Sequence, residues 1–245
     1  MSRPTRTLPP TPVGLTDTGT EEPLTDIAYR NIKGAILDGS LPPSLLASEQ
    51  QIAGRLEMSR TPVHQAIVRL EQEGWIELLS RRGVKIAPIS APDMHDVYEA
   101  LLALEVAAVR RLTAWGAPDS DPTLSALEQT CDDGDAALGK GDLPAWAAAD
   151  DRFHAALVDL SGNRHITRLA RSVMEQAQRA RLLTLKLRPH PGASNVDHRA
   201  IVQAIKAGDP DLACERMRAH RQRGMDVLLP ILEALSTKPS FLPNN

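Results

Sequence analysis

The chain has 245 residues, enough for two domains or one large one, and its 42% apolar and 24% charged residues are ordinary for a globular protein. Two cysteines exclude a disulfide framework, and no apolar run of membrane-spanning length and no secretory leader pattern occurs. A cytoplasmic protein with no membrane partner is expected. The net charge of −3 does not advertise nucleic-acid binding, and aromatics at 3% leave a core of Leu, Ala, Ile and Val, as helices use.

Residues 1–23 contain Pro4, Pro9, Pro10, Pro12 and Pro23 and no periodic apolar residues, the composition of a disordered arm. A first helix is predicted from Thr25, with Ile27, Ile32, Ile36 and Leu37 pointing inward. Ser48 and Gln51 have the spacing of a capping box, and Ile52, Ala53 and Leu56 give the short helix that follows one apolar face. After a break at residues 57–59, Pro62 suits the first turn of a new helix. There Val63, Ala66, Ile67 and Leu70 recur at helical spacing, which leaves Arg60, Thr61, His64 and Gln65 on the opposite, solvent face. Gly74 ends this helix, residues 75–79 read as a strand, 80–83 as a turn and 84–87 as the returning strand. Helix, tight turn, helix and two-stranded wing make a winged helix-turn-helix, whose second helix fits a DNA major groove and whose basic wing reaches phosphates or the minor groove. Arg60, Arg69, Arg81, Arg82 and Lys85 supply the local positive field, while Asp132, Asp133, Asp135, Asp142, Asp150 and Asp151 carry the acidic excess elsewhere.

Residues 88–90 read as a linker, with a capping-box-like helix start at residues 90–93. Everything beyond reads as helix, broken at residues 116–118, 139–142, 161–163, 189–192 and 208–210. Asp142 with Pro144, Asn163, and Asp209 with Pro210 carry good helix-starting chemistry. The expected whole is about six helices in an antiparallel bundle, a setting in which facing helices build ligand pockets. The fold class is therefore mainly α: an N-terminal winged helix-turn-helix over residues 24–88 and an all-α bundle over 89–236, with a flexible tail at 237–245.

Within the bundle, Asp150 and His154 lie four residues apart and share a helix face, His198 sits early in a later helix and His220 in the last one. A carboxylate with three imidazoles can ligate zinc first of all, or nickel or manganese, although Asp and His at this spacing are common without a metal. Such a set could also serve a metal-dependent hydrolase or lyase, but no general base or oxyanion donor accompanies it in the sequence.

Two sets of motifs carry a resemblance. Ser59-Arg60-Thr61-Pro62-Val63, Arg69-Leu70-Glu71 with Gly74, the Arg82-Gly83 wing and the preceding segment 36–43 resemble the DNA-binding domain of the GntR family of bacterial transcription regulators. Where that family usually has Arg-Glu after Pro-Val, this chain has His64-Gln65, which implies a different operator. Segments 150–154, 162–163 and 198–205, with His220, resemble the FCD effector domain of the FadR-type branch, in a shorter VanR-like form.

The resemblance implies a homodimeric, ligand-responsive regulator, more often a repressor, that binds duplex operator DNA with palindromic half-sites and is not an enzyme. It implies base or backbone contacts from Arg60, Thr61, His64, Gln65, Arg81, Arg82 and Gly83, and a divalent metal on Asp150, His154, His198 and His220 beside an organic-acid effector. The arginine with which the family often grips a carboxylate is matched here by apolar Leu101, which implies either a less acidic, more hydrophobic effector or another cation in its place. Arg179 and Arg181 are the candidates, though arginines on such a helix ordinarily face solvent.

Overall fold

The computed structural model describes residues 22–79, 83–114 and 122–236. The expected arm at 1–23 thus lies outside them except at its last two residues, and the tail at 237–245 lies outside entirely. Helix α1 (Leu24–Leu37) starts where the apolar period does and buries Ala28, Ile32 and Ile36. Ile27 and Leu37, expected inside, are only half-buried. Strand β1 (Leu46–Ala47), α2 (Glu49–Arg55) and α3 (Arg60–Gln72) follow. The capping box of α2 forms: the Ser48 hydroxyl accepts from the Gln51 N–H at 3.1 Å, and the Ser48 N–H donates to Gln51 Oε1 at 2.8 Å. Two amides that the first turn would leave without acceptors are satisfied, which fixes where this short helix begins.

The end of α3 is equally explicit. The Gly74 N–H bonds to the Glu71 carbonyl and the Trp75 N–H to the Leu70 carbonyl, both at 2.9 Å, with Gly74 at φ +77°. This is a Schellman stop, and it takes Trp75 out of the predicted strand and puts its indole in the core. Strand β2 is accordingly Ile76–Leu79, and its partner β3 is Gly83–Ile86 rather than 84–87. The antiparallel sheet has the order β1-β3-β2, and β1, two residues long, is too short to show a period in the sequence. Gly83 sits at φ +90°, and a Cβ there would lie 2.4 Å from the Ala47 carbonyl oxygen, so the close approach of β1 to β3 requires glycine. Residues 80–82, with Arg81 and Arg82, lie outside the described residues.

Helix α4 (Ala91–Ala114) opens under the Ser90 hydroxyl, which accepts from the Asp93 N–H at 3.2 Å. There follow α5 (Pro122–Gly139), α6 (Leu143–Leu160), α7 (Arg164–Thr184), a single 3-10 turn (Leu185–Leu187), α8 (Gly192–Lys206) and α9 (Pro210–Ser236). The nominated starters act: Asp142 accepts from Ala145, Asn163 from His165 and Asp209 from Leu212, at 2.9–3.0 Å. Among the described residues the six helices beyond Ser90 match the number expected. Phe153, Leu157, Leu124, Leu127, Ile201 and Met217 centre one apolar cluster of the bundle, and a second, around Tyr98, Leu101, Ala180 and Leu228, joins α4, α7 and α9. Both cysteines are buried, and no described helix is long and apolar enough to cross a membrane.

Candidate metal centre and nucleic-acid face

The front of α3 is built by subtraction. Burying Val63, Ala66, Ile67 and Leu70 against α1 and α2 turns Arg60, Thr61, His64 and Gln65 outward, and all four are exposed. His64 Nδ1 lies 3.0 Å from Glu49 Oε1 on α2, and Thr25 Oγ1 donates to Gln65 Oε1 at 2.7 Å. Arg69 stands apart from them at the far end of α3: it reaches Glu73 and Asp26 and stacks on the Tyr29 ring at 3.7 Å. Lys85 pairs across the strands with Glu77 at 3.0 Å. Two of the five cations assigned to the local field are therefore neutralised by carboxylates of their own.

The bundle does the opposite and turns polar side chains inward. His154 on α6, His198 on α8 and His220 on α9 are all buried, and each offers Nε2 toward the others. His220 Nε2 lies 3.2 Å from that of His154 and 3.3 Å from that of His198. Phe153 stacks on His198 with ring centroids 3.9 Å apart and helps set that ring's plane. Asp150, one turn before His154, places its carboxylate oxygens 3.6 Å from His198 Nε2 and 4.0 Å from His154 Nε2. Asp151, the next residue, turns away to Arg181 and Gln178.

Outer groups hold the rings from behind. His220 Nδ1 lies 3.4 Å from Asp197 Oδ2. His154 Nδ1 lies 3.2 Å from Glu105 Oε1, too oblique for a full hydrogen bond. Glu105 is itself fully buried and grips Arg221 of α9 through both oxygens. Burial pushes the Glu105 carboxyl up, but Arg221 more than reverses this and holds it well below the usual carboxylate range. Burial pushes Asp150 up as well, and Arg181 beside it holds it low in the same way. Burial, followed by the other imidazoles, pushes His198 well below its ordinary value, and burial also lowers His220.

Unprotonated imidazoles are what a metal ligand set needs, and the shifts of His198 and His220 run in that direction. Three converging Nε2 atoms satisfy one another badly, because two lone pairs facing each other repel, whereas one cation would accept all of them. Nitrogens bound at about 2.0–2.1 Å in tetrahedral geometry stand about 3.3 Å apart, close to the separations seen here. Carboxylates behind Nδ1 are the usual outer shell of such a centre. The donor set fits a divalent metal ion.

A cavity of ≈ 180 Å³ opens beside the histidines, with Asp150 and His220 in its wall. Arg181 also lines it, bonded to Asp150 and Asp151; Arg179 does not. Neither arginine faces solvent, contrary to the ordinary expectation for that helix: they are 3% and 7% exposed. Arg179 turns to the winged helix, donating to the Ala87 carbonyl at 2.7 Å beside the Trp75 ring, and burial lowers its guanidinium to about 10. Lys33 of α1 pairs with Glu175 of α7 at 2.6 Å, and Gln176 reaches the Glu73 carbonyl at 3.4 Å. One face of α7 thus docks on the DNA-binding unit while Arg181, two residues on from Arg179, holds the histidine centre.

The cavity wall contains functional candidates that sequence reasoning missed: Tyr98, Arg188, Arg221 and Arg223. Glu105 was missed as well, although a signal existed. It lies four residues after Leu101 and three before Ala108, on the apolar stripe of α4, where a charge is unexpected.

Comparison with known proteins agrees with both halves of the chain. Residues 24–86 match the profile of bacterial regulatory proteins of the gntR family, and residues 96–223 match the FCD domain. An uncharacterized HTH-type transcriptional regulator in the TAR-I ttuE-ttuC' intergenic region of Agrobacterium vitis is 40% identical over 152 residues, 57% of this chain and 89% of that protein. YdhC of Bacillus subtilis, another uncharacterized HTH-type transcriptional regulator, is 27% identical over 84% of this chain and 91% of its own length. Among solved structures, a GntR regulator from Rhodococcus sp. RHA1 superposes with a TM-score of 0.70 at 23% identity, covering 88% of this chain and 99% of that one. E. coli McbR/YncC does so with 0.71 at 17% identity, covering 89% and 100%. These relatives are regulators, which sets aside the hydrolase or lyase reading of the histidine centre. The chain belongs to the GntR family of bacterial transcription regulators and carries an FCD effector-binding domain behind its winged helix-turn-helix.

Proposed function

We propose that this regulator is a cytoplasmic homodimeric repressor whose grip on a palindromic operator is relieved by a small organic acid bound beside a metal ion in the FCD bundle. The observation that carries the metal and effector reading is the convergence of three buried Nε2 atoms beside a cavity lined by Asp150 and His220. His154, His198 and His220 with Asp150 would hold the metal, zinc before nickel or manganese, and Glu105 and Asp197 would orient the rings from behind. When bound, the metal supplies a positive centre that a carboxylate or hydroxyl oxygen can ligate. DNA reading falls to residues 24–88: Arg60, His64 and Gln65 toward base edges, and Thr61, Arg81, Arg82 and Gly83 toward backbone or minor groove. Glu49 takes His64 Nδ1, which leaves Nε2 for a base edge. Residues 89–236 would bind the effector and form the dimer, whose two-fold axis requires a two-fold operator. Repression is supported by relatives named as repressors, RspR and GlaR of E. coli, at 23% and 24% identity.

Helix α7 supports a route between the sites. Its Arg181 is bonded to Asp150, one of the residues that would hold the metal, and its Arg179 to the carbonyl of Ala87, the residue just after β3. An effector that competes for Arg181 or Asp150 shifts the orientation of the winged helix only by its differential affinity for the two arrangements. The test is metal content of the full chain without a polyhistidine tag, beside His154→Ala, by mass spectrometry. Metal in the parent and none in the variant is the expected result. No metal in either, after reloading with zinc, nickel and manganese in turn, refutes the metal reading and leaves the DNA-binding half standing.

A further inference from the structure

Four guanidiniums line the cavity, and three are matched. Arg181 is bonded to Asp150 and Asp151, Arg221 to Glu105, and Arg223 to Asp197 through two contacts of 2.9 Å. Arg188, at the end of the 3-10 turn, forms no ion pair among the described residues. Its Nε donates to Thr184 Oγ1 at 2.9 Å, its Nη2 is buried without a hydrogen-bond partner, and Tyr98 is its polar neighbour. A buried guanidinium nitrogen left without an acceptor is costly, and a ligand carboxylate is the group that matches its fork. The position on α4 where the family often has an arginine is occupied by fully buried Leu101, one turn beyond Tyr98, so no cation comes from there.

We infer that Arg188 is the anion grip of the effector cavity, and that the effector is a dicarboxylate with one carboxylate on Arg188 and the other directed at the histidine centre. This rests on the metal-dependent effector reading above. Charge supports two carboxylates rather than one. The four guanidiniums are balanced by Asp150, Asp151, Glu105 and Asp197, so a divalent cation on three neutral imidazoles leaves two positive charges in excess. Size sets the length: a cavity of ≈ 180 Å³ is slightly larger than one of about 150 Å³ that accepts benzene, which suits a chain of about four to six carbons.

The test is calorimetric titration of the zinc-loaded full chain with malonate, succinate, glutarate and adipate, each beside its monoamide, which keeps the shape and removes one charge. At least one diacid should bind about tenfold or more tightly than its monoamide. Arg188→Gln should abolish that preference with zinc stoichiometry unchanged, and Arg188→Lys should restore part of it. A preference that persists in Arg188→Gln, or no preference in the zinc-loaded parent, overturns the inference and leaves the metal reading intact. A parent that takes up none of zinc, nickel and manganese overturns both.

Discussion

The two halves of this regulator put their candidate functional side chains on opposite sides of the same rule. In the winged helix, apolar residues are buried so that Arg60, Thr61, His64 and Gln65, within six positions of one another, are left outside. In the bundle, Asp150, His154, His198, His220, Glu105 and Arg221 are buried themselves, drawn from four helices and from positions as many as 116 apart. A surface that meets DNA needs charges in water, where exchange with counterions is easy. A centre proposed to take a small anion holds its charges out of water, where each interaction is stronger and each missing partner costs more. The buried set should therefore be sensitive in stability and the exposed set sensitive in binding alone.

The largest effect expected from that contrast is at Glu105. Glu105→Ala leaves Arg221 buried without its carboxylate and should lower unfolding free energy by about 3–5 kcal/mol in urea denaturation. A loss below about 1 kcal/mol would mean that water reaches the pair and that the buried charge network is not structural. Next, Arg60→Ala should weaken binding to duplexes selected from a random pool by about 1–3 kcal/mol, with the melting temperature unchanged. Unaltered affinity would move the reading face off the front of α3. The smallest effect belongs to an exposed pair in the same bundle, Arg152 with Asp133 at 2.9 Å. Arg152→Ala should change stability by no more than about 0.5 kcal/mol in the same urea experiment. A change as large as that at Glu105 would remove burial as the explanation of the difference.

Much of the chain was legible because its signals are local. Ser48 with Gln51, Gly74, Asn163 and Asp209 each act on amides or carbonyls a few residues away, so their spacing alone names the helix end they make. The same holds for α3, whose period separates an inner from an outer face, and for Asp150 with His154, which one turn of helix brings together. Where local rules competed, the sequence misled by a residue or so: Trp75 has strand propensity, yet the Schellman stop and the core claim it.

Tertiary structure decided what depends on packing between distant segments. Nothing near Arg179 and Arg181 says that one turns to the winged helix and the other to Asp150 beside the histidines. That split follows from where α7 passes between the two units. Arg188 sits in a run of breaks, Arg188-Pro189-His190-Pro191-Gly192, that reads only as a connection, and its role follows from which carboxylates the other arginines have already taken. Strand β1 exists only because β3 offers it a partner. Periodicity, caps and i,i+4 spacing act within a turn or two of chain, so the family motifs, the helices, the outer face of α3 and the shared face of Asp150 and His154 can be read from the residues alone. The cavity, its charge balance and the path to the DNA-binding unit were decided by packing, because ion pairs and enclosed space belong to segments that meet only when the bundle closes.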